Sequence, residues 1–150
     1  MRIVLQRVSQ ASVTVDGAVV GEIGPGFVAL LGAGENDTRE IAAKMAEKIS
    51  KLRVFADENG KTNLSQADVG GEILVISQFT LYADCRKGNR PGFTGAGSPR
   101  QACELYEYFA DVCEGLFARA ARGVFGAMMS VSLVNDGPFT VILDSGDLGY

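Results

Sequence analysis

The sequence predicts an α+β domain in which a small, largely antiparallel, barrel-like β-sheet carries two packed helices. Three observations lead there. Stretches with a β pattern outnumber helical ones, and most are joined by short breaks rich in Gly, Pro, Asn or Asp. Two stretches, one starting near Asp37 and one at Ser98, place apolar residues at helical spacing. No repeat, linker or shift of composition divides the 150 residues, so a single domain over residues 1–150 accounts for the chain.

Residues 3–8 and 11–15 are β-like, with Val13 and Val15 alternating against Ser12 and Thr14. Asp16-Gly17 signals a hairpin. Val19-Val20 leads to the break Gly24-Pro25-Gly26, and the apolar run 27–31 reads as a buried strand. The first helix is expected near Asp37, with Asp37 and Glu40 spaced as a capping box and Ile41, Met45, Ile49 and Leu52 as its buried stripe. Residues 57–61 form a polar turn. Residues 72–80 give the strongest strand signal, with Ile73-Leu74-Val75-Ile76 apolar on both faces. Residues 83–97 mix Gly, Pro and basic residues without a period, which marks a long loop that is either functional or disordered. Ser98, Pro99 and Gln101 start the second helix, whose stripe is Ala102, Leu105, Phe109, Val112, Cys113 and Leu116. Two closing strands, 128–134 and 139–143, flank Asn135-Asp136-Gly137-Pro138, and the tail 145–150 is expected to be flexible.

Composition excludes several chemistries. There is no histidine, so a Ser-His-Asp triad, a Cys-His dyad and a His-ligated zinc site are all ruled out. Cys85, Cys103 and Cys113 show no CxxC spacing, and an odd count without a secretory signal fits reduced thiols. No carboxylate cluster suggests a metal, and neither metal nor cofactor is expected. No apolar run is long enough to span a bilayer, and Arg7 interrupts the N-terminal apolar segment, so the expectation is a cytoplasmic protein with no membrane partner. The net charge of −4 speaks against a broad nucleic-acid-binding face, although it permits a grip on one end of a nucleic acid. Arg86, Lys87 and Arg90 form one local basic cluster and Arg119 and Arg122 another; either can be a solvated surface, the reading preferred for Arg119 and Arg122.

Two segments could carry chemistry. Ser77, Gln78, Phe79 and Thr80 end the most hydrophobic strand. They read either as polar strand residues facing solvent or as a strand end offering hydroxyls and backbone N–H groups to a ligand. Asn135-Asp136-Gly137-Pro138-Phe139-Thr140 reads as a connecting turn. A Gly-Pro bond can also be cis at a cost of about 0.5–1 kcal/mol, which would point two carbonyls where a trans bond could not. Gly137 would let a ligand approach the backbone closely.

Taken together, Ser77-Gln78-Phe79-Thr80-Leu81 and Asn135-Asp136-Gly137-Pro138-Phe139-Thr140 resemble the motif pair of the D-aminoacyl-tRNA deacylase family. Gln6-Arg7-Val8 with Ala11-Ser12-Val13 is similar to that family's opening strand, and Arg90-Pro91 to Ser98-Pro99 to its long loop and helix start. The residues after Leu143 look longer than the family needs. The resemblance implies a homodimer that hydrolyses the ester at the aminoacylated 3′ end of tRNA when the amino acid is D, rejecting the L form. It implies a cis Gly137–Pro138 that enters the partner's active site and screens chirality. It also implies a pocket lined by Ser77, Gln78, Phe79 and Thr80, with Arg7, Asn135 and Thr140 in support.

Without histidine, Thr80 or Ser77 has no partner to take its proton, so a covalent intermediate is not expected. The scheme that fits the inventory is a positioned water, backbone N–H donors near Phe79 and Thr80, and help from the ribose 2′-OH. Selection by exclusion at Pro138 would also admit glycyl-tRNA. The residues alone permit one alternative, a non-catalytic dimeric module that binds a nucleotide or RNA end.

Overall fold

A computed structural model describes residues 1–150. Its spine is β1, Arg2–Val15, which reads as two β-like stretches in the sequence and is one continuous strand. The first half of β1 pairs antiparallel with β3, Gly26–Gly32, and the second half with β2, Ala18–Ile23. The β1–β2 turn has φ of +49° at Asp16 and +82° at Gly17, the left-handed pair that a two-residue hairpin of type I′ needs. The other edge of β1 pairs along its length with β8, Met129–Asp144.

Two parallel pairings extend the sheet: β6, Glu72–Ser77, lies beside β3, and β7, Arg119–Arg122, lies beside β6. The order is β2-β1-β3-β6-β7, with β8 on the far edge of β1. The sheet curls until its ends nearly meet. A Cβ added at Gly21 of β2 would come within 2.9 Å of the Arg122 carbonyl of β7. This is the expected small α+β barrel, with parallel pairs where long helical crossovers return the chain to the sheet.

The helices are α1, Arg39–Ser50, a single turn α2, Gln66–Val69, and α3, Pro99–Glu114. A separate hairpin, β4 (Arg53–Ala56) and β5 (Thr62–Ser65), brackets the predicted polar turn. α3 starts as its sequence indicates, with Ser98 accepting the Gln101 N–H at 3.3 Å and Pro99 in the first turn. α1 starts one residue later than expected. Its cap is Thr38, which accepts from the Ile41 N–H, while the Asp37 carboxylate turns inward to the Gly34 N–H and the Met1 ammonium. A buried cation is a stronger partner for a carboxylate than an exposed helix end.

Two apolar clusters occupy the two faces of β3 and β6. Phe27, Ala29, Leu31, Ile73 and Val75 face α1 and α3, and belong to the larger core with Met45, Ile49, Leu105, Phe109 and Cys113. Val28, Leu74 and Ile76 face into the barrel with Val8, Val13 and Ile23. That double burial is why residues 73–76 are apolar at every position. At the other end of the chain Ser145 is buried, its hydroxyl accepts from the Met1 ammonium at 2.6 Å, and Leu148 packs on the core. The tail therefore starts anchored rather than free.

Candidate active site

β6 ends at Ser77, earlier than its apolar pattern suggests. The Gln78 N–H still bonds to the Leu31 carbonyl at 2.7 Å, and the chain then tightens into a 3-10 turn over Phe79–Tyr82. The first N–H groups of such a turn have no acceptor inside it, which leaves those of Phe79 and Thr80 available at the strand end. The Gln78 amide donates to the Thr80 hydroxyl.

A cleft of about 560 Å³ opens beside this strand end. Ser77, Gln78 and Phe79 form one wall, Phe93, Ala96 and Gly97 of the long loop a second, and Phe125 to Met129 a third. Phe79 and Phe93 meet edge to face at 5.1 Å. Thr80 is exposed and does not line the cleft. No lining residue is ionisable. None of the three thiols lines the cleft, and burial pushes that of Cys113, in the core, well above the usual thiol range. Tyr82, behind the turn, is also raised well above the usual phenol range, by burial first and then by Asp37, so it remains protonated.

The second segment is not a turn between two strands. β8 runs through it as one strand with a large bulge: Gln6 is paired with Thr140 and Val8 with Asn135, so only Arg7 faces residues 136–139. The Gly137–Pro138 bond is cis. The bulge is held by two neighbours on β1. Arg7 is buried, and its guanidinium donates to the carbonyls of Asp136 and Gly137, both at 3.0 Å, and to that of Val54. The same group lies 3.0 Å from the Asp136 carboxylate and stacks over the Phe139 ring at 4.5 Å. Gln6 donates to the Asn135 side chain and, at 3.0 Å, to the Phe139 carbonyl, and accepts the Thr140 hydroxyl at 2.7 Å.

The expected supporting residues Arg7, Asn135 and Thr140 thus converge on Gly137–Pro138, joined by Gln6, which the two motifs leave without a role. Its signal is a Gln-Arg pair inside an otherwise apolar strand. The Gly137 carbonyl already accepts from Arg7, which fixes its direction and leaves one lone pair. The two expected halves of the site do not meet within one chain. Gly137 and Pro138 are exposed and line no part of the cleft. Phe93, Phe125, Met128 and Met129 are further wall residues that sequence reasoning missed. Phe93 and Met128 are exposed, Met128 at 92%, whereas Phe125 and Met129 are half-buried against the core, and no sequence pattern marks the four as a group.

The chain is similar to known proteins along nearly its whole length. The sequence profile described as D-Tyr-tRNA(Tyr) deacylase matches residues 4–144. The D-aminoacyl-tRNA deacylase of Roseiflexus castenholzii is 56% identical over 145 residues, covering 97% of this chain and 92% of the relative. That of Thermus aquaticus is 56% identical over 147 residues, covering 98% and 97%. Among solved structures, one described as c-Myc DNA Unwinding Element Binding Protein superimposes with a TM-score of 0.89 at 42% identity, covering 96% of this chain and 98% of that one. A probable eukaryotic D-amino acid tRNA deacylase shares the fold, with a TM-score of 0.84 at 16% identity over 95% and 97% of the two chains.

Proposed function

The chain belongs to the D-Tyr-tRNA(Tyr) deacylase family, and from that premise we propose a site composed of two copies of the chain: the cleft of one seats the esterified end of tRNA, and the Gly137–Pro138 bulge of the other screens its configuration. The chain is a hydrolase acting on D-aminoacyl-tRNA, and tRNA binding follows from that substrate.

The observation that carries the composite site is the separation of its halves. The cleft has no ionisable side chain and takes no wall from the bulge of its own chain, whereas the bulge is clamped by Arg7 and Gln6 and presents Gly137 and Pro138 to solvent. β8 also leaves Leu133, Val134 and Ile142 exposed on either side of the bulge, apolar surface that a second copy would cover.

In this reading Phe79 and Phe93 hold the terminal adenosine, and the backbone N–H of Phe79 in the cleft wall, with that of Thr80 at its rim, stabilises the oxyanion as water attacks the ester, the Thr80 side chain taking no part. The ribose 2′-OH handles a proton, because the cleft offers no ionisable side chain to serve as a base. The carbonyls of Gly137 and Pro138 accept from the substrate ammonium, so an L side chain strikes Pro138, a D side chain points outward, and glycine passes. The scheme needs no metal, no cofactor and no acyl-enzyme. We place it in the cytoplasm, where charged tRNA is used; no helix is long and apolar enough to cross a membrane. The test is deacylation of matched D-, L- and glycyl-tRNA side by side. Cleavage of the D and glycyl esters with the L ester spared is expected, and equal cleavage of D and L would overturn the screen.

A further inference from the structure

The deacylation scheme gives no role to the tip of the long loop, and the charges there call for one. We propose that Lys87 and Arg90 grip the phosphodiester backbone of the RNA strand entering the cleft, holding the nucleotides that precede the terminal adenosine. The proposal rests on the deacylase reading and adds to it the surface that receives the rest of the tRNA end.

The loop is built as a closed excursion rooted at the site. Asp84 and Gly92 exchange both backbone hydrogen bonds, at 2.7 and 3.0 Å, and so close its neck. The chain enters the neck from Phe79–Tyr82 and leaves it at Phe93, whose ring packs on Phe79 in the cleft wall. Arg90 is three residues from Phe93, at most about 10 Å of extended chain. That lies within about one Debye length of the cleft mouth.

Charge at the tip is arranged to be free. The loop has one carboxylate against three cations, and that carboxylate is taken: Arg86 holds Asp84 through Nε at 2.8 Å and through its terminal nitrogen at 2.7 Å. Lys87 and Arg90 are exposed and form no ion pair. Elsewhere Arg2, Arg7, Lys44, Lys51, Arg100 and Arg122 are neutralised by carboxylates. Among the remaining cations only Lys87 and Arg90 stand within three positions of each other. They border a wholly polar basin of about 500 Å³, lined by Asp84, Arg86, Lys87, Arg90, Gly92 and Thr94.

A protein of net charge −4 repels RNA at long range, so productive approach needs a local positive surface beside the site. A phosphodiester strand fits: its charges are spaced along a chain, and each cation that meets one releases a counterion.

The experiment compares the wild type with the double variant Lys87→Gln, Arg90→Gln in three assays. Affinity for uncharged tRNA is measured across a salt series, and turnover is measured on D-aminoacyl-tRNA and on D-aminoacyl-adenosine, which lacks the preceding phosphates. The variant is expected to bind tRNA on the order of tenfold more weakly, with a salt slope shallower by roughly 0.7 for each phosphate that is no longer neutralised. KM for D-aminoacyl-tRNA should rise in proportion with kcat unchanged, and D-aminoacyl-adenosine should be cleaved as by the wild type. Unchanged tRNA affinity and salt slope would overturn the proposal. So would an equal fall in turnover of the adenosine ester, which would mean that the loop acts through the cleft. If the wild type leaves D-aminoacyl-tRNA intact while the variant still binds tRNA more weakly, the deacylase reading fails and the phosphate grip stands.

Discussion

The Thr140 hydroxyl donates to Gln6 Oε1 at 2.7 Å, and this one contact closes the neck of the bulge that presents Gly137 and Pro138. The other end of the Gln6 amide reaches the Asn135 side chain and the Phe139 carbonyl, so a single side chain bridges both shoulders. Arg7, next in sequence, grips the crest from the opposite side of β1. Adjacent residues of a strand point to opposite faces. Four residues of β8 against one of β1 produce enough slack for the bulge to be held from both.

The first prediction follows from that clasp. Gln6→Ala removes three partly exposed hydrogen bonds, each worth about 0.5–1.5 kcal/mol. Unfolding should show a loss of about 1–3 kcal/mol, and discrimination between D and L esters should fall by more than total turnover does. Thr140→Val should cost less, and the double variant should lose less than the sum of the singles, since both act on one contact. Additive losses would mean that the clasp is not a unit.

Gly137→Ala separates function from folding. A Cβ at Gly137 would meet only the Asn135 side-chain nitrogen at 3.5 Å, an ordinary contact. The melting temperature should therefore move by no more than about 2–4 °C. If the proposed composite site is right, turnover of D-aminoacyl-tRNA should nevertheless fall by an order of magnitude or more, because the added methyl group would stand where the substrate approaches. Wild-type turnover would show that nothing comes close to Gly137.

The cleft itself makes a third prediction. Since it is lined by no ionisable side chain, the proposed scheme gives the proton to the substrate's 2′-OH. A tRNA ending in 2′-deoxyadenosine should bind normally and react more slowly than the intrinsic reactivity of its ester explains. Thr80→Val should retain turnover, since Thr80 is exposed and outside the cleft. Equal acceleration of ribose and deoxyribose esters, or an acyl group trapped on Thr80, would place the catalytic group on the protein.

Tyr106 links the core to the cleft wall. Its hydroxyl is buried and donates toward the carbonyls of Val75 and Gly123, both at 3.0 Å, tying β6 to the start of the segment that ends in Met128 and Met129. Tyr106→Phe leaves the buried Gly123 carbonyl short of a donor, while the Val75 carbonyl keeps the Gly123 N–H at 3.0 Å, and should cost about 1–3 kcal/mol. KM should rise as that wall loosens, with kcat much less affected. A stability loss with KM unchanged would limit Tyr106 to the core.

The features legible in the sequence are those whose cause is local. Asp16-Gly17 sets a hairpin and Ser98-Pro99 a helix start through their own backbone preferences, and residues 73–76 declare their double burial by being apolar throughout. The features that escaped depend on distant partners. Asp37 has the spacing of a cap, but the Met1 ammonium takes its carboxylate. Arg119–Arg122 has no strand pattern and becomes one only because Glu72 to Val75 offers a parallel edge. Residues 135–138 carry every mark of a turn, yet β1 keeps β8 paired on both sides and turns them into a bulge. The two motifs of the site are visible as strings, and the family resemblance already implies that the bulge serves a partner's cleft and lies apart from its own; the cleft walls Phe125, Met128 and Met129 carry no such signal.

That separation makes the last prediction the sharpest. If the bulge of one copy completes the cleft of another, Gly137→Ala and Phe79→Ala damage different halves of one composite site. Each variant alone has only defective sites. In a mixed dimer one site has both defects and the other has neither. Phe79 is 54% exposed, so its truncation forfeits mainly the edge contact with Phe93, worth about 0.5–1.5 kcal/mol, and should leave the fold intact. Mixing the two inactive variants in equal amounts and allowing subunits to exchange should place half the chains in mixed dimers and restore about a quarter of wild-type activity, set by symmetry and random pairing. Recovery should follow the rate of subunit exchange and be absent when exchange is blocked by crosslinking each variant beforehand. If mixed dimers form and no activity returns, the bulge acts within its own chain. If the protein stays monomeric at assay concentration and is active, the composite site is wrong.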